Sequence, residues 1–215
     1  MSQRGDENRI ENLDANTLPC FATPMVNYFF ADSDTLNETL ARTIMALEQE
    51  EPGLSKSNVG GWHSELDLLE HDDDSIRTLR ARLEGFSLAL LKQFVRSPAA
   101  MEQSSSALRL EAWANVTRHG QYNSVHSHPN ALWSMVYYVT GNETLEAHPF
   151  SGKLELLDPR PAASLTYDED SGVYGRLLIN PRAGQLIAFP AWLQHQVHCY
   201  FGQAPRISIA INLLP

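Results

Sequence analysis

The chain has 215 residues, of which 43% are hydrophobic, and this is enough for one folded domain with a substantial buried core. The formal net charge of -10 argues against an avid DNA or RNA partner, because binding to phosphates depends on clustered Lys and Arg. No window approaches the length of a membrane span, and the polar N-terminus lacks the apolar segment of a secretory signal. We therefore expect a cytoplasmic protein without a membrane partner.

The first half of the chain predicts a tail followed by two helices. Residues 1–18 are polar and predict a flexible tail, which leaves residues 19–215 as a single domain. A short strand is predicted within residues 20–30. Apolar residues at helical spacing predict an amphipathic helix over about 34–50. An acidic cluster that suits a helix N-terminus precedes a second helix over about 75–97.

The second half predicts a β core over about residues 107–214. Here the hydrophobic period changes to two, and about seven short strands are separated by Gly, Pro, Asn and Asp. So many short strands predict a sandwich, a jelly roll or a barrel. The predicted fold class is therefore mainly β (α+β), with the two helices packed on the sheet. The acidic connection at residues 161–172 fits either a mobile lid or a solvated loop.

Two histidines stand one residue apart just before an aromatic and β-branched run. His126 and His128 leave the same face of an extended backbone, so with one more donor they can bind a divalent metal. The pair alone is weak evidence, because polar side chains also cap the ends of strands.

A third histidine and an arginine in the C-terminal region strengthen the metal interpretation. His195 and Arg206 open the last two predicted strands, which form an antiparallel hairpin. By alternation, His195 shares a face with Val197, and Arg206 shares a face with Ser208. An arginine on the interior face of a small barrel is costly unless it meets an anion. Arg206 therefore indicates a pocket for an anionic ligand.

This combination resembles the 2-oxoglutarate- and Fe(II)-dependent oxygenases, and within them the bacterial and phage-type group related to prolyl hydroxylases. The resemblance runs from about Phe21 to the C-terminus. The stretches that carry it are "SNVGGWHS", "WANVTRHGQYNSVHSHPNALWSMVYYV", "GKLELLDPR", "FPAWLQHQV" and "RISIAIN". It implies a double-stranded β-helix that uses Fe(II), 2-oxoglutarate and O2 to oxidise a substrate, with release of succinate and CO2.

The resemblance also assigns roles to individual residues. The positions that match the iron ligands are His126, His128 and His195. Arg206 matches the residue that pairs with the distal carboxylate of 2-oxoglutarate, Ser208 matches its hydrogen-bonding neighbour, and Tyr137 is a further candidate for the same carboxylate. Positions that resemble pocket-lining residues of the group are Asn115, Tyr122 and Asn123.

One departure from the superfamily leaves alternatives open. Asp or Glu usually stands where this chain has His128, so either three imidazoles hold the metal or Asp158 supplies a carboxylate. Two other functions remain: a cupin-type three-histidine protein that binds Fe or Zn without 2-oxoglutarate, and a metal-free β-barrel binding module. The sequence does not specify the oligomeric state or the prime substrate, which is a protein or a small molecule.

Overall fold

The structure is a computed structural model that describes residues 21–94, 109–161, 163 and 175–215. Within these residues lie two α-helices, α1 (Asp34–Glu50) and α2 (Asp74–Phe94), and a short 3-10 helix (Leu68–Glu70). The strands are β1 (Val26–Phe29), β2 (Asn58–Val59), β3 (Trp62–His63), β4 (Arg109–Thr117), β5 (Tyr122–His126), β6 (Trp133–Tyr138), β7 (Leu154–Leu157), β8 (Arg176–Ile179), β9 (Gln185–Pro190), β10 (His195–Val197) and β11 (Arg206–Leu214).

The strands form two antiparallel sheets. The large sheet has the order β1-β9-β6-β11-β4-β3, and the small sheet has the order β2-β5-β10-β7-β8. From β4 to β11, consecutive strands alternate between the two sheets, except that β7 and β8 form a hairpin within the small sheet. The predicted fold class, mainly β with helices packed on the sheet, is confirmed.

The helix boundaries that the structure describes agree closely with the predicted ones. Helix α1 has the predicted bounds, and α2 begins one residue before the predicted start. The expected tail at 1–18, the end of the second helix beyond Phe94 and most of the acidic connection at 161–172 lie outside the described residues. The division into a tail and one domain stays a prediction.

The outer face of the large sheet packs on the helices. On β11 this face carries Ile207, Ile209, Ile211 and Leu213, all at most 2% exposed. They share one apolar core with the buried faces of the helices, whose central members are Leu40, Ile44, Leu79 and Leu83. The helices therefore hold the three central strands β4, β6 and β11 in place.

The inner face of the same strands is organised in rows set by the pairing register. Two polar rows flank an apolar row, and Arg206 lies beyond them opposite Thr117. The first polar row is Ser134, Asn212 and Glu111; the apolar row is Val136, Ala210 and Trp113; the second polar row is Tyr138, Ser208, Asn115 and His63. Polar and apolar rows of side chains therefore alternate along the strands on this inner face.

A two-strand unit that the sequence did not predict joins the two sheets. Strand β2 pairs with β5 of the small sheet, whereas β3 pairs with β4 of the large sheet. The turn between them uses Gly60 at a φ of +78°, a left-handed conformation that favours glycine. This unit brings "SNVGGWHS" to one side of the barrel.

Neither of the described α-helices is long and apolar enough to span a lipid bilayer.

Replacing Leu79 by alanine should destabilise the protein by about 2–5 kcal/mol, because the substitution leaves a cavity between α2 and the sheet. Leu79 has an exposed fraction of 0%, while its neighbour Thr78 is exposed. The measurement is urea unfolding of the purified protein. The control is Thr78→Ala, which should change the free energy of unfolding by less than about 0.5 kcal/mol. Equal effects of the two substitutions would contradict the packing described here.

Candidate functional site

A cavity of about 470 Å³ lies between the inner faces of the two sheets. The small sheet and the loops at its end contribute the three predicted histidines, and the large sheet contributes the predicted arginine and serine. All five side chains line this cavity: His126, His128, His195, Arg206 and Ser208.

The three histidines converge. One ring nitrogen of each lies within 4.8 Å of the others, and they form the single cluster of this kind within the described residues. The Nε2 atoms of His128 and His195 are 3.2 Å apart. Two imidazoles bound to one metal at about 2.1 Å place their nitrogens at about this separation. His126 and His195 are directly paired across β5 and β10, with ring centroids 4.2 Å apart.

A β-bulge in β5 helps to shape this side of the cavity. His126 pairs with His195, but Asn123 pairs with Val197, so three residue steps on β5 match two on β10. Residues three apart on a regular strand point to opposite faces. The extra residue in the bulge turns the strand so that the side chains of both Asn123 and His126 face the same side, where they line the cavity.

Backbone carbonyls fix which nitrogen of two rings carries the proton. Nδ1 of His195 lies 2.9 Å from the Leu193 carbonyl oxygen, and Nδ1 of His126 lies 2.7 Å from the Ser124 carbonyl oxygen. Since a carbonyl only accepts, each Nδ1 is the donor and each Nε2 keeps its lone pair. This is the arrangement in which a histidine ligates a metal and its second nitrogen is held by an outer partner.

All three imidazoles are neutral near pH 7. Burial lowers the pKa of His126, and it lowers the pKa of His128 to about 4 and that of His195 to about 3. Mutual repulsion between the rings acts in the same direction on His128 and His195. Neutral imidazoles are the form that coordinates a cation. The donor set therefore fits a divalent metal.

Arg206 lies in the same cavity with no anionic partner among the described residues. Its side chain is 1% exposed, and its Nε atom has no hydrogen-bond partner. One guanidinium nitrogen donates to the Ser208 hydroxyl at 3.5 Å. Burial lowers the pKa of Arg206, which is the direction expected for a charge that has lost its water.

Tyr138, and not Tyr137, is the tyrosine beside Arg206, and this corrects the sequence interpretation. Tyr137 points to the helix side of β6, where its hydroxyl donates to Asn37 Oδ1 at 2.6 Å. Tyr138 lines the cavity, and the guanidinium lies 5.4 Å from its ring centroid. Its buried hydroxyl makes no hydrogen bond of good geometry, and burial raises its pKa to about 12.

Asp158 does not join the histidine cluster. Its carboxylate accepts hydrogen bonds from Arg160 and lines a separate cavity of about 300 Å³. Of the residues expected to line the pocket, Asn115 and Asn123 do so, whereas Tyr122 is exposed and does not. The cluster thus consists of three imidazoles without a carboxylate.

Sequence reasoning missed several residues of the cavity wall. Trp113 stacks on the ring of His128 with centroids 5.6 Å apart, and on His63 with centroids 5.3 Å apart. The Ser57 hydroxyl lies 3.4 Å from Nε2 of His126. The alternation of β4 would have identified Trp113 once Asn115 was placed inside, but the position of Ser57 depends on the pairing of β2.

Comparison with known proteins agrees with the resemblance found in the sequence. Residues 111–212 match the sequence model of the family described as "Putative 2OG-Fe(II) oxygenase". This stretch, a little under half of the chain, is therefore similar to the 2-oxoglutarate- and Fe(II)-dependent oxygenases. No protein with curated annotation matches the sequence. This region holds most of the β core and all six residues predicted to bind the metal or 2-oxoglutarate.

Solved structures of oxygenases resemble about nine tenths of the chain. A Pseudomonas putida prolyl-4-hydroxylase has a TM-score of 0.64 at 16% identity, with 89% of this chain and 92% of that chain covered. HygX from Streptomyces hygroscopicus, with nickel and 2-oxoglutarate bound, has a TM-score of 0.61 at 14% identity over 90% and 83%. A Trichoplax adhaerens prolyl hydroxylase in complex with a hypoxia inducible factor peptide has a TM-score of 0.60 at 12% identity over 89% and 82%. At these identities the likeness concerns the fold.

Replacing any one of the three clustered histidines by alanine should weaken Co(II) or Fe(II) binding by at least about 100-fold. Loss of a residue that only orients a metal ligand costs about 10- to 100-fold in metal affinity, and loss of a ligand should cost more. The measurement is anaerobic calorimetric titration of the metal-free protein. His148→Ala is the matched control, because His148 is exposed and stacks on Phe201 away from the cluster. A clustered variant that binds metal as tightly as the control would show that its ring is not a ligand.

The metal-free protein should lose stability as the pH falls from 6.5 toward about 3, the interval between the ordinary pKa of a histidine and that of the buried His195. The unfolded chain binds more protons than the folded chain in this interval, so protonation favours unfolding. The measurement compares urea unfolding at several pH values for the wild type and His195→Gln. The variant should depend less on pH, and identical slopes would contradict the burial of a neutral His195.

Proposed function

We propose that the chain oxidises its substrate at a single Fe(II) bound by His126, His128 and His195, with 2-oxoglutarate held by Arg206 and Ser208. The observation that carries this proposal is the pairing of two unsatisfied groups in one cavity. One ring nitrogen from each of the three histidines converges on a common point, and the buried guanidinium of Arg206 has no anionic side chain beside it within the described part of the chain. A divalent metal and a dicarboxylate satisfy both.

The metal half of the site would hold Fe(II) with three neutral ligands. A carboxylate in place of His128 would cancel one positive charge, so the three-imidazole site keeps the full charge of the metal. Such a site attracts an anionic co-substrate more strongly. Three imidazoles also suit zinc, but a zinc hydrolase would leave the buried Arg206 without a role.

The arginine half of the site would bind the distal carboxylate of 2-oxoglutarate. A buried, unpaired guanidinium is costly, and a carboxylate that pairs with it recovers that free energy through charge-assisted hydrogen bonds. Ser208 lies beside the guanidinium, and the hydroxyl of Tyr138 is a buried donor that needs a partner. These three side chains form a compact pocket for one carboxylate.

The residues of the chain bind, orient and shield the reactants. When bound, the metal with 2-oxoglutarate and O2 supplies the oxidation of a substrate C–H bond, with release of succinate and CO2. Arg206 fixes the far end of the co-substrate, and the carbonyls of Ser124 and Leu193 hold two of the imidazoles in the ligating tautomer. The apolar row between the polar rows keeps the middle of the cavity poor in water.

The prime substrate would reach the metal along the wall formed by the β2–β3 unit. Lys56, Ser57 and His63 line the cavity there. HygX binds hygromycin B in one structure, and the Trichoplax adhaerens enzyme binds a peptide. We therefore keep both a small molecule and a protein side chain as substrate classes. The net charge of -10 disfavours nucleic acid, and the cytoplasmic location stays a prediction.

Replacing Arg206 by methionine should weaken 2-oxoglutarate binding by at least about 100-fold, which corresponds to a charge-assisted pair of about 3 kcal/mol. Metal binding should persist, because Arg206 is not part of the histidine cluster. The ligand-free variant should be no less stable than the wild type, because the buried charge lacks a partner. The measurements are titration of the Co(II) protein with 2-oxoglutarate and urea unfolding.

Ser208→Ala is the graded control, since it removes one neutral hydrogen bond and should cost about tenfold or less in co-substrate affinity. Succinate release from 2-oxoglutarate by the iron-loaded protein gives the second readout. Full co-substrate affinity in Arg206→Met would overturn the assigned pocket.

A further inference from the structure

The inner face of the large sheet carries opposite charges at its two ends. The register pairs Arg206 with Thr117 at one end of β4 and pairs Asn212 with Glu111 at the other end. From Glu111 to Thr117 an antiparallel strand extends by roughly 20 Å, at about 3.4 Å per residue. Glu111 is the only acidic residue that lines the cavity in the described part of the chain. The cavity is therefore positive at the Arg206 end and negative at the Glu111 end.

Trp113 lies between these two ends, beside the candidate metal ligands. Its ring stacks on that of His128, with the centroids 5.6 Å apart. Glu111 precedes Trp113 by two residues on the same face of β4, a separation of about 7 Å along the strand. Because 2-oxoglutarate would extend from the metal toward Arg206, the Glu111 end of the cavity is left for the prime substrate.

The carboxylate of Glu111 has no cationic partner within the described residues. Its Oε2 atom accepts a hydrogen bond from Asn212 Nδ2 at 3.3 Å, and no described side chain forms an ion pair with it. Lys56 also lines the cavity, but Lys56 is exposed. A half-buried carboxylate without a counter-charge favours a ligand that brings a positive charge.

Two buried acceptors on the same side of the cavity indicate that the ligand also carries hydrogen-bond donors. The Oδ1 atom of Asn115 is buried and makes no hydrogen bond with a described residue. His63 pairs with Asn115 across β3 and β4. Nδ1 of His63 donates to the Ser64 carbonyl oxygen at 2.6 Å, so Nε2 is the acceptor. The 2-oxoglutarate dianion has only acceptor oxygens and cannot satisfy these atoms, whereas a substrate with N–H groups can.

We propose that the prime substrate carries an ammonium or guanidinium group that binds to Glu111, while the rest of the substrate extends past Trp113 toward the metal. The inference rests on the proposed function, since it names the substrate class of that site. A free amine or guanidine and a lysine or arginine side chain of a protein share this chemistry. The two charges also sort the ligands, because 2-oxoglutarate is attracted by Arg206 and repelled by Glu111.

Ligand-observed NMR titration of the full chain loaded with Zn(II) and 2-oxoglutarate tests this assignment, because zinc suits three imidazoles and has no redox chemistry. The probes are n-butylammonium and n-butylguanidinium, and neutral n-butanol is the reference. The wild type should bind each cation at least about tenfold more tightly than the alcohol, the gain expected from a charge-assisted hydrogen bond. Glu111→Gln, which keeps the size of the side chain and removes its charge, should bind cation and alcohol about equally.

Two further variants control for the charge that is removed. Glu65 is exposed and does not line the cavity, so Glu65→Gln should keep the wild-type preference for cations. Lys56→Gln removes a positive charge from the cavity lining and should keep or increase that preference. Urea unfolding checks that each variant is folded, and the wild-type preference is itself a test that needs no variant.

Nα-acetyl-lysine methylamide distinguishes the two sources of the cation. Tighter binding than n-butylammonium indicates a protein side chain, and weaker binding indicates a free amine. A wild type that binds the cations no more tightly than n-butanol would overturn the proposal, and so would a folded Glu111→Gln protein that keeps the preference.

The same titration with metal-free protein separates this outcome from a failure of the proposed function. A wild type that prefers the cations but binds neither Co(II) nor 2-oxoglutarate contradicts the oxygenase site and leaves the cation site in place. A wild type that binds both Co(II) and 2-oxoglutarate but shows no preference for the cations contradicts the substrate class alone.

Discussion

The pairing register of β11 with its neighbours β4 and β6 is the constraint on which the site depends. Alternation along β11 sends Arg206, Ser208 and Asn212 into the cavity and sends the isoleucines between them toward the helices. A slip of one residue would bury the guanidinium against α1 and α2 and fill the cavity with isoleucine. The apolar core between the sheet and the helices therefore also determines which side chains of β11 face the cavity.

The cavity contains two kinds of group that need different ligands: the three imidazoles need a cation, and the guanidinium of Arg206 needs an anion. The three imidazoles present lone pairs that repel one another, and Arg206 presents a buried positive charge. A metal ion alone would satisfy the first group and leave the second unpaired. A dicarboxylate that reaches from the metal to the guanidinium satisfies both, so binding of the metal and of the co-substrate should favour each other through charge.

Much of this organisation can be predicted from the sequence, because successive side chains along a strand point to opposite faces of the sheet. The helix at 34–50 and the β core followed from spacing alone, and alternation placed Arg206 and Ser208 on one face of their strand. Tyr137 was named as a candidate for the carboxylate, although its side chain lies on the helix side of β6, because nothing in a single sequence ties the parity of β6 to that of β11. The bulge in β5 and the row that joins Asn212 to Glu111 depend on cross-strand pairing, which arises only in the folded sheet.

The most direct test is an anaerobic crystal structure with Fe(II) and 2-oxoglutarate, with the metal located by anomalous scattering. The account predicts one iron at about 2.1 Å from the Nε2 atoms of His126, His128 and His195, with the distal carboxylate of 2-oxoglutarate on Arg206. An iron held by fewer than three of these rings, or a dicarboxylate bound away from Arg206, would contradict it.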